Sequence, residues 1–239
     1  MIPWLILAAP AWWAAGAGEP PSPTTPAPKP DGEWQQKHAA NAAAAKAGGI
    51  DVLFLGDSIT EYWNAEGKDV WTKTFAPLKA ANFGIAADKV ENVLWRTQNG
   101  ELDGIQPKAV VLLCGINNTW GVKRDQREKV GADVAAGLGE VIKTLRAKSP
   151  QTKVLLLAIF PIADGTDIVV KTANTALAKM DDGKTVRFLD LGPKLADAEG
   201  NLAKENTKDG LHLSAKGYEV WAQSILPLLT EMMGAGSKH

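Results

Sequence analysis

The stretch VLFLGDSIT, residues 52–60, joins four apolar residues directly to Gly56, Asp57 and Ser58. An apolar run without polar alternation is typical of a strand that is buried on both faces, as in a parallel sheet. The polar end of this strand has two interpretations. In one, Gly-Asp-Ser is a turn in which glycine frees the backbone and Asp or Ser caps the next helix. In the other, the strand presents the Ser58 hydroxyl as a nucleophile, which then needs a base, an orienting acid and oxyanion donors elsewhere in the chain.

Four further segments continue the strand pattern. In chain order they are KAANFG (79–84), AVVLLCG (109–115), KVLLLAIF (153–160) and TVRFLDL (185–191). Segments with helical periodicity separate them, and strands that alternate with helices favour a parallel sheet covered on both faces. The sequence therefore predicts an α/β fold, a three-layer α/β/α sandwich around a flavodoxin-like, five-stranded parallel sheet. Its first strand is IDVLFLG (50–56).

Local signals predict where three helices begin or end. Asp88 and Asp125, each followed three positions later by a glutamate, resemble the first residue of a capping box. The last helix is expected to begin after Ser214, and Pro227 should kink or end it because proline cannot donate a helical hydrogen bond.

Composition excludes several classes of function. The 239 residues carry 26 basic and 27 acidic side chains, a net charge of −1, so no overall field attracts nucleic acid or an anionic membrane surface. The single cysteine, Cys114, lies in an apolar run and is expected to be a buried structural thiol. Without a Cys-His cluster or an HExxH arrangement, no metal site is expected.

The amino-terminal region differs from the rest of the chain. WLILAAPAWWAAGAG (4–18) is apolar, and small residues around Ala17 fit a signal-peptidase site, which predicts an exported protein, periplasmic or secreted. The apolar segment is short and contains Pro10, so no stable membrane insertion is expected after processing. EPPSPTTPAPKP (19–30) is half proline and should form an extended tether. The predicted organisation is a signal peptide at 1–17, a proline-rich linker at 18–31, a catalytic domain at 32–233 and a flexible tail at 234–239.

A nucleophilic serine needs a base, and the chain has three histidines. His239 ends the segment GAGSKH (234–239), for which no regular structure is expected, and His38 belongs to an alanine-rich segment that predicts a surface helix. His212 lies in KDGLHLS (208–214), three residues after Asp209, which could fix its tautomer. Taken alone, Asp209-Gly210 could equally be an ordinary turn and His212 a packing residue.

The loops after the second and third strands supply candidate oxyanion donors. Asn117 follows the third strand in GINN, and its amide could donate to a developing negative charge, as could the backbone N–H groups of Ser58 and Gly84. Asn117 could also be a simple loop residue. Because the carboxyl ends of parallel strands meet at one edge of the sheet, the combination favours a catalytic site.

In this combination of residues the chain resembles the SGNH (GDSL-type) esterases. The four residues for which that family is named fall on Ser58, Gly84, Asn117 and His212. Within it, the stretch NFGIAADKVENVLWRTQNGELDGIQPKAVVLLCGINN (82–118) is similar to catalytic subunits of the intracellular platelet-activating-factor acetylhydrolases and their bacterial relatives. The similarity to the family runs from about residue 50 to residue 232.

The resemblance implies the roles of these residues. Ser58 would be the nucleophile, His212 the base and then the acid, and Asp209 its orienting partner. Ser58, Gly84 and Asn117 would form the oxyanion hole, and no cofactor would be needed. Asp57 is interpreted as support for the turn and not as a member of the triad.

Two departures from the family pattern lead to expectations. Ala86 and Ala87 stand where relatives often have Gly-Gly, so the loop that carries Gly84 is expected to differ in shape, because alanine tolerates positive φ poorly. Ile116 and Trp120 are bulky neighbours of Asn117 and should narrow the acyl pocket, which favours acetyl or other short acyl groups.

These inferences predict a serine esterase that hydrolyses short-chain, acetyl-type esters through an acyl-enzyme and deacetylates carbohydrate. Its partners would be small-molecule or polysaccharide esters, and a homo-oligomer is compatible with the sequence. Trp63 and Trp120 are candidates for stacking on sugar rings. Two alternatives stay open: a lipid-directed esterase such as a lysophospholipase or thioesterase, and a non-catalytic carbohydrate-binding protein on an esterase scaffold.

Overall fold

Five parallel strands form the centre of the molecule. The computed structural model describes residues 21–162 and 168–234. The strands are β1 (Val52–Gly56), β2 (Ala80–Gly84), β3 (Ala109–Leu113), β4 (Lys153–Leu157) and β5 (Val186–Leu189), in the sheet order β2-β1-β3-β4-β5. All five lie within the segments that the sequence predicts, and the order is the flavodoxin-like one.

Helices cover both faces of this sheet. They are α1 (Gly32–Ala47), α2 (Ser58–Glu61), α3 (Lys68–Thr74), α4 (Val90–Gln98), α5 (Arg127–Lys148), α6 (Ile168–Leu177), α7 (Gly192–Leu195) and α8 (Ala215–Met232). Helices α4, α5 and α6 pack side by side, and α3 packs against α8. The predicted three-layer sandwich is confirmed.

The core explains why the strands read as continuous apolar runs. Every residue of β1 and β3 is buried. Phe54 lies at the centre of an aromatic cluster, with ring centroids 4.9 Å from Trp71, 4.8 Å from Phe75 and 6.4 Å from Trp221. Cys114 is buried directly after β3, as expected for a structural thiol.

Two local predictions about helix ends are wrong, those for Asp88 and Asp125. Residues 124–126 form a 3-10 turn, so α5 begins at Arg127 without a side-chain cap from Asp125. The N-cap residue of α4, directly before Val90, is Lys89, whose N–H donates to the Asn92 side chain, while the Asp88 carboxylate makes other contacts. Helix α8 starts after Ser214 as expected but continues through Pro227 to Met232.

The proline-rich segment lies against the domain where the structure describes it, from residue 21 onward. Pro23 is buried, the Ala27 N–H donates to the Glu91 carbonyl at 3.1 Å, and the Asn92 side chain donates to the Ala27 carbonyl at 2.9 Å. The prediction of an extended tether is therefore wrong for the described part of this segment, which also forms a turn in which the Thr25 N–H donates to the Ser22 carbonyl at 2.8 Å. The segments predicted as signal peptide (1–17) and most of the tail (235–239) lie outside the described residues.

Candidate active site

The first element of the site is the junction between β1 and α2. Asp57 caps α2, since its Oδ1 accepts the Ile59 N–H at 3.0 Å, and Ser58 is the first residue of the helix. Only glycine fits at position 56, because a Cβ there would lie 2.1 Å from the Leu113 carbonyl oxygen. The turn and the helix cap of the first interpretation are therefore confirmed, and they fix the Ser58 side chain at the carboxyl edge of the sheet, where the second interpretation requires it.

Ser58, His212 and Asp209 come together in hydrogen-bonding range. The His212 Nε2 lies 3.0 Å from the Ser58 Oγ, and the His212 Nδ1 lies 2.6 Å from the Asp209 Oδ2. A proton on Nδ1 that is donated to the carboxylate leaves Nε2 as the acceptor for the serine hydroxyl. This is the arrangement that the sequence predicts for a nucleophile, its base and an orienting acid.

The loop that carries His212 is closed by its own hydrogen bonds. The second oxygen of Asp209, Oδ1, accepts the N–H groups of Leu211 at 3.0 Å and His212 at 2.7 Å, and the Thr207 hydroxyl donates to the His212 carbonyl at 2.8 Å. Burial raises the pKa of Asp209, but the hydrogen bonds from His212 and Leu211 outweigh it and hold the pKa below its usual range. Asp209 thus stays ionised beside the imidazole.

Asn117 lies in the 3-10 turn at residues 116–118, directly after β3. Its Nδ2 donates one hydrogen to the Asp88 carbonyl at 2.9 Å, and its Oδ1 accepts the indole N–H of Trp120 at 3.4 Å. These two contacts fix which way the amide points. The second hydrogen on Nδ2 has no acceptor in the described part of the chain.

The Gly84 N–H, predicted as an oxyanion donor, already has an acceptor, the Asn82 Oδ1 at 2.9 Å. In the same loop Ala87 adopts φ +58°. This is the left-handed conformation that alanine was expected to tolerate poorly, and the loop adopts it nevertheless. Within residues 21–162 and 168–234, neither the Ala87 N–H nor the Ser58 N–H donates a hydrogen bond. Gly84 is needed here for space, because a Cβ on it would lie 2.2 Å from the Glu61 nitrogen.

The three residues predicted to contact substrate differ in exposure. Trp120 is 51% exposed and carries its ring beside Asn117. Ile116 is buried, and Trp63 is fully buried between Phe75 and Trp221, at centroid distances of 5.3 and 5.0 Å. The prediction that Trp63 stacks on sugar is therefore wrong: its ring belongs to the core.

Asp57 combines its capping role with nearly complete burial. Its side chain is 1% exposed, and no group in the described part of the chain donates to its Oδ2. Burial, assisted by the nearby charge of Asp88, raises the pKa of Asp57 to about 7 against the Ile59 hydrogen bond. The folded state therefore binds this proton more tightly than the unfolded chain does.

This linkage predicts a pH-dependent difference in stability between the protein and Asp57→Asn. Since the pKa is raised on folding, the contribution is fully present below about pH 4 and is lost as pH rises to about 7, by at most about 1.4 kcal/mol per pH unit. Asparagine keeps an oxygen for the Ile59 N–H and does not titrate. Urea unfolding at pH 4 to 8 should show the variant gaining stability relative to the parent with rising pH; a constant difference would contradict the assignment.

Sequence reasoning missed a buried charged network next to these loops. Arg96 is fully buried; its Nε donates to the Asp88 Oδ2 at 2.8 Å, its Nη1 to Glu101, and its Nη2 to the Gly56 carbonyl at 3.2 Å. The guanidinium thus links the residue before Asp57 to the loop after β2. The available signal was a charged residue at position 96 within the helical pattern, with carboxylates just before and after the helix at 88 and 101, since buried charges must be paired.

In the described part of the chain, no three His, Cys, Asp or Glu side chains are grouped so that they could hold a metal ion. In the same residues no helix is both long and apolar enough to cross a membrane.

Comparison with known proteins gives consistent results. The model of the GDSL-like lipase/acylhydrolase family matches residues 54–220. Platelet-activating factor acetylhydrolase IB subunit alpha1 of Bos taurus is 31% identical over 235 residues, covering 93% of this chain and 96% of that protein. Two solved structures share the fold. A GDSL-like lipase of Bacteroides thetaiotaomicron has a TM-score of 0.66 at 19% identity, covering 82% and 97% of the two chains. A carbohydrate esterase family 3 protein of Talaromyces cellulolyticus has a TM-score of 0.53 at 18% identity, covering 79% and 100%.

Proposed function

Since the chain belongs to the GDSL-like lipase/acylhydrolase family of ester hydrolases, we propose that it removes short, acetyl-type acyl groups from carbohydrate through an acyl-enzyme on Ser58. The observation that supports the chemistry best is the continuous path from Ser58 Oγ through the His212 ring to Asp209, with distances of 3.0 and 2.6 Å.

In the first step the Ser58 oxygen attacks the ester carbonyl while its proton moves to the His212 Nε2. The oxygen that becomes negative accepts hydrogen bonds from the free Nδ2 hydrogen of Asn117 and from backbone N–H groups, for which Ser58 and Ala87 have unused donors. The imidazolium then gives its proton to the departing alcohol. Water, deprotonated by His212, cleaves the acyl-enzyme and releases the acid.

Two observations support a short acyl group. Trp120 lies against the Asn117 side chain, so its ring restricts the space next to the proposed oxyanion hole. In addition, the relative that is 31% identical is named an acetylhydrolase.

The alcohol part has two candidates. The exposed ring of Trp120 offers a flat apolar surface of the kind on which sugars stack, which supports carbohydrate. The name of the bovine relative supports a second candidate, an acetylated phospholipid of the platelet-activating-factor type. Export, which would bring the protein to polysaccharide, is part of the first proposal; mass spectrometry of the mature protein should find it to begin at Gly18.

A substrate panel tests this proposal. Nitrophenyl esters from acetyl to octanoyl should be cleaved with kcat/KM falling as the chain lengthens, and Trp120→Ala should raise the octanoyl-to-acetyl ratio. Acetate release from acetylated xylan is then compared with release from an acetyl phospholipid. Faster cleavage of octanoyl than acetyl ester by the unchanged protein would contradict the acyl preference, and release from the phospholipid alone would favour the second candidate.

A further inference from the structure

Helix α1 is attached to the domain by polar contacts and by aromatic packing of Trp34 and His38 on Trp95, at centroid distances of 5.6 and 5.0 Å. Of its 16 residues only Trp34 and Ala45 are buried, so it has no broad apolar face. Instead Trp34, Lys37, His38 and Asn41, at the i, i+3, i+4 and i+7 positions of one helical stripe, all point toward the acidic groups around the loop after β2. These contacts indicate that one side of α1 binds the acidic groups of its own domain.

Two residues of the amino-terminal region bind Asp88 directly. The Trp34 Nε1 donates to the Asp88 Oδ1 at 2.6 Å in a buried hydrogen bond. The Lys29 Nζ lies 3.2 Å from the same oxygen and donates to the Ala86 carbonyl at 3.3 Å. Lys29 comes from the proline-rich segment, and its side chain is only 15% exposed.

A third residue reaches the same loop through a carboxylate. The Lys37 Nζ lies 2.7 Å from the Glu61 Oε1, and the other Glu61 oxygen accepts the Ala86 N–H at 2.5 Å. Residues of the amino-terminal region therefore fix both polar groups of the Ala86 backbone. Lys29 binds the carbonyl directly, and Lys37 acts on the N–H through Glu61.

The loop of residues 86–88, which these contacts fix, contains one proposed oxyanion donor, the Ala87 N–H, and binds the other, the Asn117 amide. The Asp88 carbonyl is the acceptor that orients the Asn117 amide, and Ala87, with its unused N–H, lies between the two residues that are fixed. A shift of Asp88 or Ala86 would thus move both donors, whereas the triad of Ser58, His212 and Asp209 has its own contacts.

We propose that Lys29, Trp34 and Lys37 are positioning residues that hold residues 86–88 in the geometry required for oxyanion stabilisation, so that the proline-rich segment and α1 form part of the catalytic apparatus. This inference rests on the proposed ester hydrolysis. The three residues touch no reacting atom and act through Ala86, Asp88 and Glu61. Because small misplacements of catalytic groups reduce rates steeply, loss of one contact should lower kcat by about 3- to 10-fold and loss of two by about 30- to 100-fold.

The test uses the full chain with Lys29→Met, Trp34→Phe and the double variant. Lys46→Met, in the exposed last turn of the same helix, is the matched control, and Lys29→Arg should restore most of the lost rate. Each variant is assayed for kcat and KM on an acetyl ester and for inhibition by a trifluoromethyl ketone, whose adduct with serine carries an oxyanion.

The expected result is a lower kcat at nearly constant KM, with the inhibition constant of the ketone rising by the same factor. Lys29→Met should also lower the melting temperature, since its side chain is only 15% exposed and its loss leaves the buried Asp88 carboxylate with one cation fewer. All assays are therefore made at a temperature at which every variant is folded. Wild-type kcat in Lys29→Met and Trp34→Phe, or equal losses in the Lys46→Met control, would overturn the inference while leaving the esterase intact. A parent protein without esterase activity would overturn both proposals.

Discussion

Replacement of Ser58 by alanine is expected to lower kcat/KM for acetyl esters about 10⁵-fold. The change removes the oxygen that lies 3.0 Å from the His212 Nε2 and leaves no acceptor for the acyl group. Oxyanion donors and substrate binding would remain and account for the residual rate above that in water. Initial rates on nitrophenyl acetate give the loss, and intact-protein mass spectrometry after a quenched reaction should detect an acetyl adduct on the parent protein and none on the variant.

The fold offers a clear control for this variant. Asp57 caps α2 with its own side chain, so alanine at position 58 keeps both the cap and the helix. The melting temperature should therefore stay within a few degrees of that of the parent. Activity within tenfold of the parent, in a folded variant, would contradict the role of Ser58 as the nucleophile.

The sheet was predictable because burial on both faces leaves a strong signal in the sequence. Strand β1 is buried at all five positions and reads as VLFLG, whereas the edge strand β2, with four half-buried residues, reads as the weaker AANFG. Helix ends were less predictable. Asp88 has the spacing of a capping residue, but its carboxylate binds Trp34, Lys29 and Arg96, and a local pattern cannot reveal partners that lie elsewhere in the chain.

The same reasoning separates the parts of the site that were predicted from those that were not. Ser58, His212 and Asn117 follow or precede regular elements at the carboxyl edge, so the topology alone brings their loops together. Trp63 was misplaced because it lies in a 3-10 turn, at residues 62–64, where sequence spacing does not tell which side faces inward. The contact between Lys29 and Asp88 joins residues 59 positions apart and becomes visible only in three dimensions.

Asp209→Asn is expected to lower kcat about 10³- to 10⁴-fold while keeping the loop intact. Asparagine retains an Oδ1 for the N–H groups of Leu211 and His212, which form the turn. At the second position, however, an amide NH₂ replaces the carboxylate oxygen that lies 2.6 Å from the His212 Nδ1. The amide donates, so Nδ1 must accept and the ring proton moves to Nε2. That nitrogen then points a hydrogen at Ser58 and cannot take the serine proton, and the imidazolium also loses the charge that stabilises it.

Two measurements test the Asp209→Asn variant, one of the imidazole tautomer and one of the rate. Proton NMR should show the His212 ring proton on Nδ1 in the parent and on Nε2 in the variant. The kcat on nitrophenyl acetate should fall with little change in melting temperature. Because Asp209 is 44% exposed, water can partly replace its carboxylate, which places the expected loss below that for Ser58→Ala. A loss under tenfold would show that the turn alone orients the imidazole and that the Asp209 carboxylate takes no part in the chemistry.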